Sequence, residues 1–292
     1  MIPAIRGYRA CMPEAPAGVA LRPMLAADVP AATKLILDGG WSDRSVFFEW
    51  AVDHPTSFPI VADEDGRVVG TGVATVNGRV GWVGAIFVAL DRRRGGLGSA
   101  LSAAVVDELQ RRGCETQVLI ATDEGRPIYE RLGFALQTRY VLQTAPNEPP
   151  PPDDGTVRPY EVDDLEAIAE LDRQATGEDR SSILRSFADP ATGHVALRDD
   201  GSIGGFVVRA PWGGRALIAR ETASALALLD LRRRTSPDRQ LTIAVLESNA
   251  EGRARLAEAG WTERPGGPRL IRGERPRWRP EWIYGQFTGA LG

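Results

Sequence analysis

Ala89-Leu-Asp-Arg-Arg-Arg-Gly-Gly-Leu-Gly98 decides how the first half of this sequence folds. Before it, Trp82–Val88 is rich in Val and aromatic residues and reads as a strand. A turn at Asn77-Gly78 joins it to Gly70–Val76, so the pair forms a β-hairpin. After it, Leu101, Val105 and Leu109 form one apolar stripe of a helix expected from Ser99 to Arg112. Arg111 and Arg112 lie at the negative end of that helix dipole, and Gly113 stops it. Gly95, Gly96 and Gly98 let the backbone turn tightly, so several N–H groups converge at the helix N-terminus. Such a concavity suits phosphate oxygens, and Arg93 and Arg94 add positive charge beside it. A plain glycine turn with solvated arginines is the other reading of these residues taken alone. A short strand over Thr116–Ala121 and a short helix over Arg126–Leu132 follow.

Composition narrows the surroundings of this loop. The chain has 292 residues, 25% charged and 43% hydrophobic, with a net charge of −4. That length fits about two domains, each able to bury its own core. Cys11 and Cys114 are the only cysteines, too few for a disulfide framework or a thiolate zinc site, and a reducing compartment is expected. His54 and His194 leave little for a histidine-rich metal centre, so no metal is expected. No apolar run reaches the roughly 18 residues of a membrane span. The first twenty residues carry Arg6, Arg9 and Glu14 without a signal-peptide core, which points to the cytoplasm. Residues 1–145 have a net charge of −1 and residues 146–292 one of −3, so neither half is the basic body of a nucleic-acid binder. Lys34 is the single lysine, which reads as a coding bias toward arginine.

Thr144–Thr156, TAPNEPPPPDDGT, is the clearest joint, because four consecutive prolines favour a stiff extended spacer. The expected division is residues 1–145, a linker over 146–155, and residues 156–292. The chain repeats itself across this joint. Leu21–Leu37, LRPMLAADVPAATKLIL, matches Val157–Arg173, VRPYEVDDLEAIAELDR, each with an apolar-Arg-Pro start and an Asp able to cap a following helix. Further on, Tyr129-Glu-Arg-Leu-Gly-Phe134 matches Leu256-Ala-Glu-Ala-Gly-Trp261, each ending a helix with a glycine and an aromatic residue. Two matches in the same order indicate two copies of one domain.

Arg93-x-x-Gly96-x-Gly98 after a strand, followed by helix, strand and Tyr129-x-x-Leu132-Gly133-Phe134, resembles the GNAT superfamily of acyl-CoA-dependent N-acetyltransferases over about residues 20–142. The resemblance implies an α/β fold whose mixed sheet splays between two strands, with acetyl-CoA as cosubstrate in the opening. It implies that backbone groups of Phe87 and Val88 hold the acetyl-pantetheine arm. The N–H groups of Arg93, Arg94, Gly95, Gly96, Leu97, Gly98 and Ser99 would bind the pyrophosphate, and Tyr129 would stand near the thioester sulfur as general acid. Thr122 occupies the place, seven before Tyr129, where the family often has Asn. Two other departures are Arg94 where glycine is common, and a strand Gly81–Val88 without the usual carboxylate. Asp53, Glu49, His54 or a water relay are candidate bases. Cys114, just after a helix, reads as a small apolar filler rather than a nucleophile.

In the second half, Ser202–Ala210 and Leu241–Leu246 read as strands and Ser224–Arg234 as a helix. That helix is preceded by Ala219-Arg-Glu-Thr-Ala-Ser224, which has no glycine and places Glu221 where it would repel a pyrophosphate. The tyrosine position is Leu256, although Asn249 matches the family's Asn. This half resembles the degenerate C-terminal domain of tandem GNAT proteins, which packs against the active domain and shapes the acceptor pocket. The tail from Glu281 to Gly292 reads as a closing strand whose Tyr284 and Phe287, with Trp278 and Trp282, either line the acceptor site or belong to the core. The expected activity is acetyl transfer from acetyl-CoA to a small primary amine, with no nucleic-acid or membrane partner. A non-catalytic acyl-CoA-binding sensor is the alternative, and a homodimer is left open.

Overall fold

The computed structural model describes residues 14–235 and 240–292. The first half forms β1 (Ala20–Pro23), α1 (Val29–Asp38), α2 (Ser45–Asp53), β2 (Ser57–Glu64), β3 (Arg67–Asn77), β4 (Val80–Val88), α3 (Leu97–Arg111), β5 (Thr116–Ile120), α4 (Arg126–Arg131) and β6 (Ala135–Thr144). The second half repeats the order as β7 (Val157–Pro159), α5 (Leu165–Thr176), α6 (Ser181–Phe187), β8 (His194–Leu197), β9 (Ile203–Arg209), β10 (Arg215–Ala219), α7 (Thr222–Thr235), β11 (Thr242–Leu246), α8 (Ala250–Glu258), β12 (Thr262–Gly273) and β13 (Ile283–Gly285). No strand or helix is formed between β6 and β7, where the prolines stand. No helix among the described residues is long and apolar enough to cross a membrane.

The sequence repeat has a physical counterpart in each half. Arg22 clasps Asp28, at 2.6 Å, at the start of α1, and Asp28 Oδ2 accepts the Leu25 N–H at 2.8 Å. Arg158 clasps Asp164, at 2.7 Å, at the start of α5, and Asp164 Oδ2 accepts the Glu161 N–H at 2.8 Å. The glycine stops match equally. Gly133 and Gly260 have φ of +86° and +81°, and the Phe134 and Trp261 N–H groups return to Tyr129 O and Leu256 O at 3.0 Å.

The two copies share strands. One sheet has eight strands in the order β1-β2-β3-β4-β5-β12-β6-β11, and the other has five in the order β13-β10-β9-β8-β7. β12, from the second half, lies between β5 and β6, pairing Arg269 with Ile120 and Gly273 with Thr116 on one side. β6, from the first half, lies between β12 and β11. Each half therefore supplies a strand that the other needs to complete its sheet. Without that strand, the edge of β5 from Thr116 to Ile120 that faces away from β4 would lie bare.

A buried polar cluster fastens the same seam. Glu178 Oε2 accepts hydrogen bonds from Asn77 Nδ2 at 2.8 Å and Trp82 Nε1 at 2.9 Å. Arg269 of β12 reaches Glu178 at 3.8 Å and stacks over the Trp82 and Trp278 rings at 4.7 and 4.9 Å. Nearby, Arg180 Nε donates to Asp172 Oδ2 at 2.9 Å, with both side chains buried. Unpartnered, any of these charges would be costly to bury.

The exchanged strand makes a prediction about the first half alone. Expressed as residues 1–145, it should lack a partner for β5 and recover in the insoluble fraction or as a strand-exchanged oligomer. Size-exclusion chromatography reads this against the full chain, and a soluble monomer with a cooperative thermal transition would contradict it.

Candidate active site

β4 and β5 run parallel for only three residues, Val80–Trp82 against Thr116–Val118, and then part. A bulge in β4 accompanies the divergence. The register against β3 jumps between Thr71–Phe87 and Val73–Gly84, Ala85 takes φ +50°, and Thr71 Oγ1 donates to the Ala85 carbonyl at 2.8 Å. An extra residue of this kind bends a strand away from its neighbour. Beyond it the Ala89 N–H donates to Val69 O at 2.9 Å, so strand alternation turns the Val88 N–H to the open edge.

The opening between the two strands is a cleft of about 1100 Å³. Its walls bring together Phe87, Val88, Arg93, Arg94, Gly96, Gly98, Ser99, Thr122 and Tyr129, residues that stand far apart in the sequence. Gly95 does not line it, and the Leu97 side chain is buried in the core, which leaves only its N–H on the loop. Arg94 and Gly96 have φ of +65° and +85°. A Cβ on Gly96 would meet nothing within 4 Å, so the glycine serves the backbone angle rather than space. Arg94 explains its own oddity, because it takes a left-handed conformation where glycine would be unstrained. Arg93 folds back over Phe87, 5.3 Å from the ring, with Nε 3.3 Å from Val88 O. Arg92, by contrast, is bound to Glu64 at 2.7 Å and stays out of the cleft.

Tyr129 is buried on α4, with Phe134 edge-on at 6.0 Å. Burial pushes its phenol above the ordinary value, and the neighbouring Ser102 hydroxyl draws it partly back. Ser102 Oγ is buried with no partner meeting hydrogen-bond geometry, and it faces the cleft. Thr122 Oγ1 accepts the Gly125 N–H at 3.1 Å, which fixes the turn into α4. A Cβ on Gly125 would stand 3.3 Å from the Tyr129 ring, so that glycine makes room for the phenol.

Several residues that the sequence did not mark also form the cleft. The α1–α2 loop closes one end with Trp41 and Arg44, and Trp41 meets Phe87 edge-on at 5.7 Å. Gly39 lies so close to Phe87 that a Cβ there would fall 1.8 Å from the ring. Thr288–Ala290, from the end of the chain, forms part of the wall, and a Cβ on Gly84 would collide with Ala290. The glycines of this apolar stretch were the available signal, since each marks a close approach.

The expected acceptor-side groups lie elsewhere. His54 stacks on Trp50 at 4.4 Å, and its Nε2 is 3.3 Å from Ser182 Oγ, outside the cleft. Burial lowers its pKa. Glu49 and Asp53 are exposed on α2 and do not line the cleft. Asp43 turns to the Ser45 N–H at 2.7 Å. Tyr284 and Phe287 are buried in the core, while Trp282 carries Arg220 and Arg279 over its ring, at 5.2 and 5.0 Å. None of these three, nor Trp278, reaches the cleft. Only Ile283–Gly285 of the tail forms a strand. Cys114 is buried away from the cleft, and burial pushes its thiol up to about 11, so it stays protonated.

In the second half the corresponding place is filled by the chain itself. While β11 stands in the other sheet, β13 pairs with β10 on the side away from β9. Its Tyr284 hydroxyl lies 3.1 Å from Thr222 Oγ1 at the start of α7, and a Cβ on Gly252 of α8 would stand 2.6 Å from that hydroxyl. Asn249 Oδ1 accepts the Gly252 N–H at 2.9 Å and so caps α8. Glu221 is held by Arg198 at 2.9 Å.

Comparison with known proteins agrees with this geometry. Residues 30–134 match a model described as the acetyltransferase (GNAT) family, and residues 168–285 match one described as an acetyltransferase (GNAT) domain. A Pyrococcus horikoshii protein, described as a candidate acetyltransferase, superposes with a TM-score of 0.81 at 19% identity, covering 94% of this chain and 96% of that one. A tandem GNAT protein from the clavulanic acid biosynthesis pathway gives 0.63 at 18% identity, covering 88% and 99%. A GCN5-related N-acetyltransferase from Sphaerobacter thermophilus gives 0.60 at 21% identity, covering 95% and 100%. At these identities the likeness concerns the fold. Two family matches in tandem, on a sheet that opens above a glycine-rich loop, place this chain in the GNAT acetyltransferase family, whose members transfer acyl groups from acyl-CoA.

Proposed function

We propose that the first half of the chain moves an acetyl group from acetyl-CoA to a small primary amine by direct attack, with Tyr129 as general acid. The observation that carries this reading is the single cleft in which the Arg93–Ser99 loop, the open edge of β4 and Tyr129 meet. The residues present fit the cosubstrate. Arg94 lines the cleft, Gly96 leaves open space above its Cα, and Arg93 stands between Phe87 and Val88. The N–H groups of Arg94, Gly96, Gly98 and Ser99 would hold the pyrophosphate at the positive end of α3. Val88 and Phe87 would align the pantetheine arm, and Thr122 would border it.

The bound thioester supplies an activated acyl carbon. The Val88 N–H, aimed at the open edge, would hold the carbonyl oxygen as negative charge builds on it. Tyr129 would pass its proton to the departing sulfur as the carbon–sulfur bond breaks, and the amine proton would leave to water. Its raised pKa keeps the phenol protonated through neutral pH, as a general acid requires. Cys114, protonated and out of reach, forms no acyl-enzyme in this scheme.

Tyr129→Phe should lower kcat by about 100-fold or more, with the acetyl-CoA dissociation constant changed less than twofold. Stopped assays of thiol release and calorimetric titration read the two quantities, and full turnover in the variant would remove the assigned role. The pH profile carries a second signature. The amine must be neutral to attack, so the rate rises as it loses its proton. The phenol must keep its proton, so the rate falls above the ordinary phenol value of about 10. That alkaline fall should vanish in Tyr129→Phe. Acetyl-CoA at about 100-fold over its dissociation constant should stabilise the chain by about 2.7 kcal/mol in thermal melts. Stabilisation without thiol release from any amine would favour an acyl-CoA sensor.

A further inference from the structure

Arg44 stands at the start of α2, where its carbonyl accepts the Phe48 N–H at 2.9 Å, and its side chain lines the cleft between Trp41 and Phe47. It is half-buried, and no hydrogen bond, ion pair or ring contact engages its guanidinium. Asp43, next in the chain, is exposed and committed to the Ser45 N–H. Desolvation without a partner lowers the pKa of Arg44, the mark of a charge held in an unfavourable place. Arg22, Arg92, Arg158 and Arg253, by contrast, each clasp a carboxylate.

The cleft around Arg44 has a consistent chemistry. Ile36, Trp41 and Phe47, near neighbours of Arg44 in the chain, line the cleft with it, and their side chains are apolar. The one carboxylate among the lining residues is Glu124, on the loop after β5 beside Thr122 and so toward the coenzyme side. A polyamine or other multiply cationic acceptor would meet Arg44 with no anion to receive it. An amine that also carries a carboxylate would pair with the guanidinium and satisfy it, and a planar fork suits a carboxylate through two parallel hydrogen bonds.

We propose that the acceptor is an amino acid, or a small molecule of amino-acid character with an apolar side chain, and that Arg44 binds its carboxylate. The inference rests on the reading of this cleft as an acetyltransferase site. It also bears on the missing base. A guanidinium near the acceptor favours the neutral form of its amine, which reduces what a protein base must do. Arg44 is thus a specificity-determining residue that removal should affect without loss of fold, because nothing in the protein depends on its charge.

The test measures binding and turnover separately. The chain loaded with CoA is titrated by calorimetry with N-acetyl-leucine and with N-acetyl-leucinamide, and likewise with the phenylalanine pair. Thiol release is followed with leucine and with isoamylamine, which is leucine without its carboxylate. The wild type should bind the acids at least tenfold more tightly than the amides and use leucine at least tenfold better in kcat/KM. Arg44→Gln should erase both preferences through KM, keep its melting temperature or raise it, and keep its affinity for acetyl-CoA. Arg44→Lys should restore part of the preference. Equal binding of acid and amide, no binding of either, or loss of acetyl-CoA affinity in Arg44→Gln would overturn the proposal. An Arg44-dependent preference for acids without any thiol release would leave the carboxylate site standing and sink the transferase reading instead.

Discussion

The insertion of β12 between β5 and β6 is the constraint on which the rest of this molecule depends. β5 pairs with β4 over three residues only, so most of its backbone pairing comes from β12 on its other side. The second half supplies that partner and receives β6 in return. Arg269, carried by the inserted strand, also anchors the Glu178–Trp82 cluster at the root of the opening. The bulge in β4 opens the strands, and the exchange completes the far edge of β5 and seats the Glu178 cluster beside it.

The sequence revealed what is encoded locally. The hairpin over β3 and β4, the glycine loop, α3 and the stop at Gly133 each depend on neighbours within a few residues, and their boundaries fall within two or three residues of expectation. The repeat was legible for the same reason, since Arg22–Asp28 and Arg158–Asp164 are short-range clasps. What the sequence could not carry was pairing at long range. Nothing in Thr262–Gly273 says that its partners lie at Thr116–Ile120, more than a hundred residues away. His54, Glu49 and Asp53 were sensible candidates by type, but their direction is set by how α2 packs. That packing turns His54 to Trp50 and Ser182 and leaves the two carboxylates in water. Arg44 was invisible among so many arginines until its lack of a partner could be seen.

The two halves share an order of elements and differ at the corresponding openings. The first keeps a loop with left-handed backbone and open space, and the second replaces it with Glu221 bound to Arg198 and fills the gap with Tyr284. The tail that closes one opening continues as Thr288–Ala290 into the wall of the other. A single segment thus fills the opening of the second half and forms part of the cleft wall in the first.

The exchanged strand also sets a clock on synthesis. β5 ends at Ile120, but its partner is complete only at Gly273. At about 5–20 residues per second the ribosome needs roughly 8–30 s to cover that distance. During this interval the nascent first half emerges with a long bare edge, which invites pairing with a neighbouring chain on the same polysome.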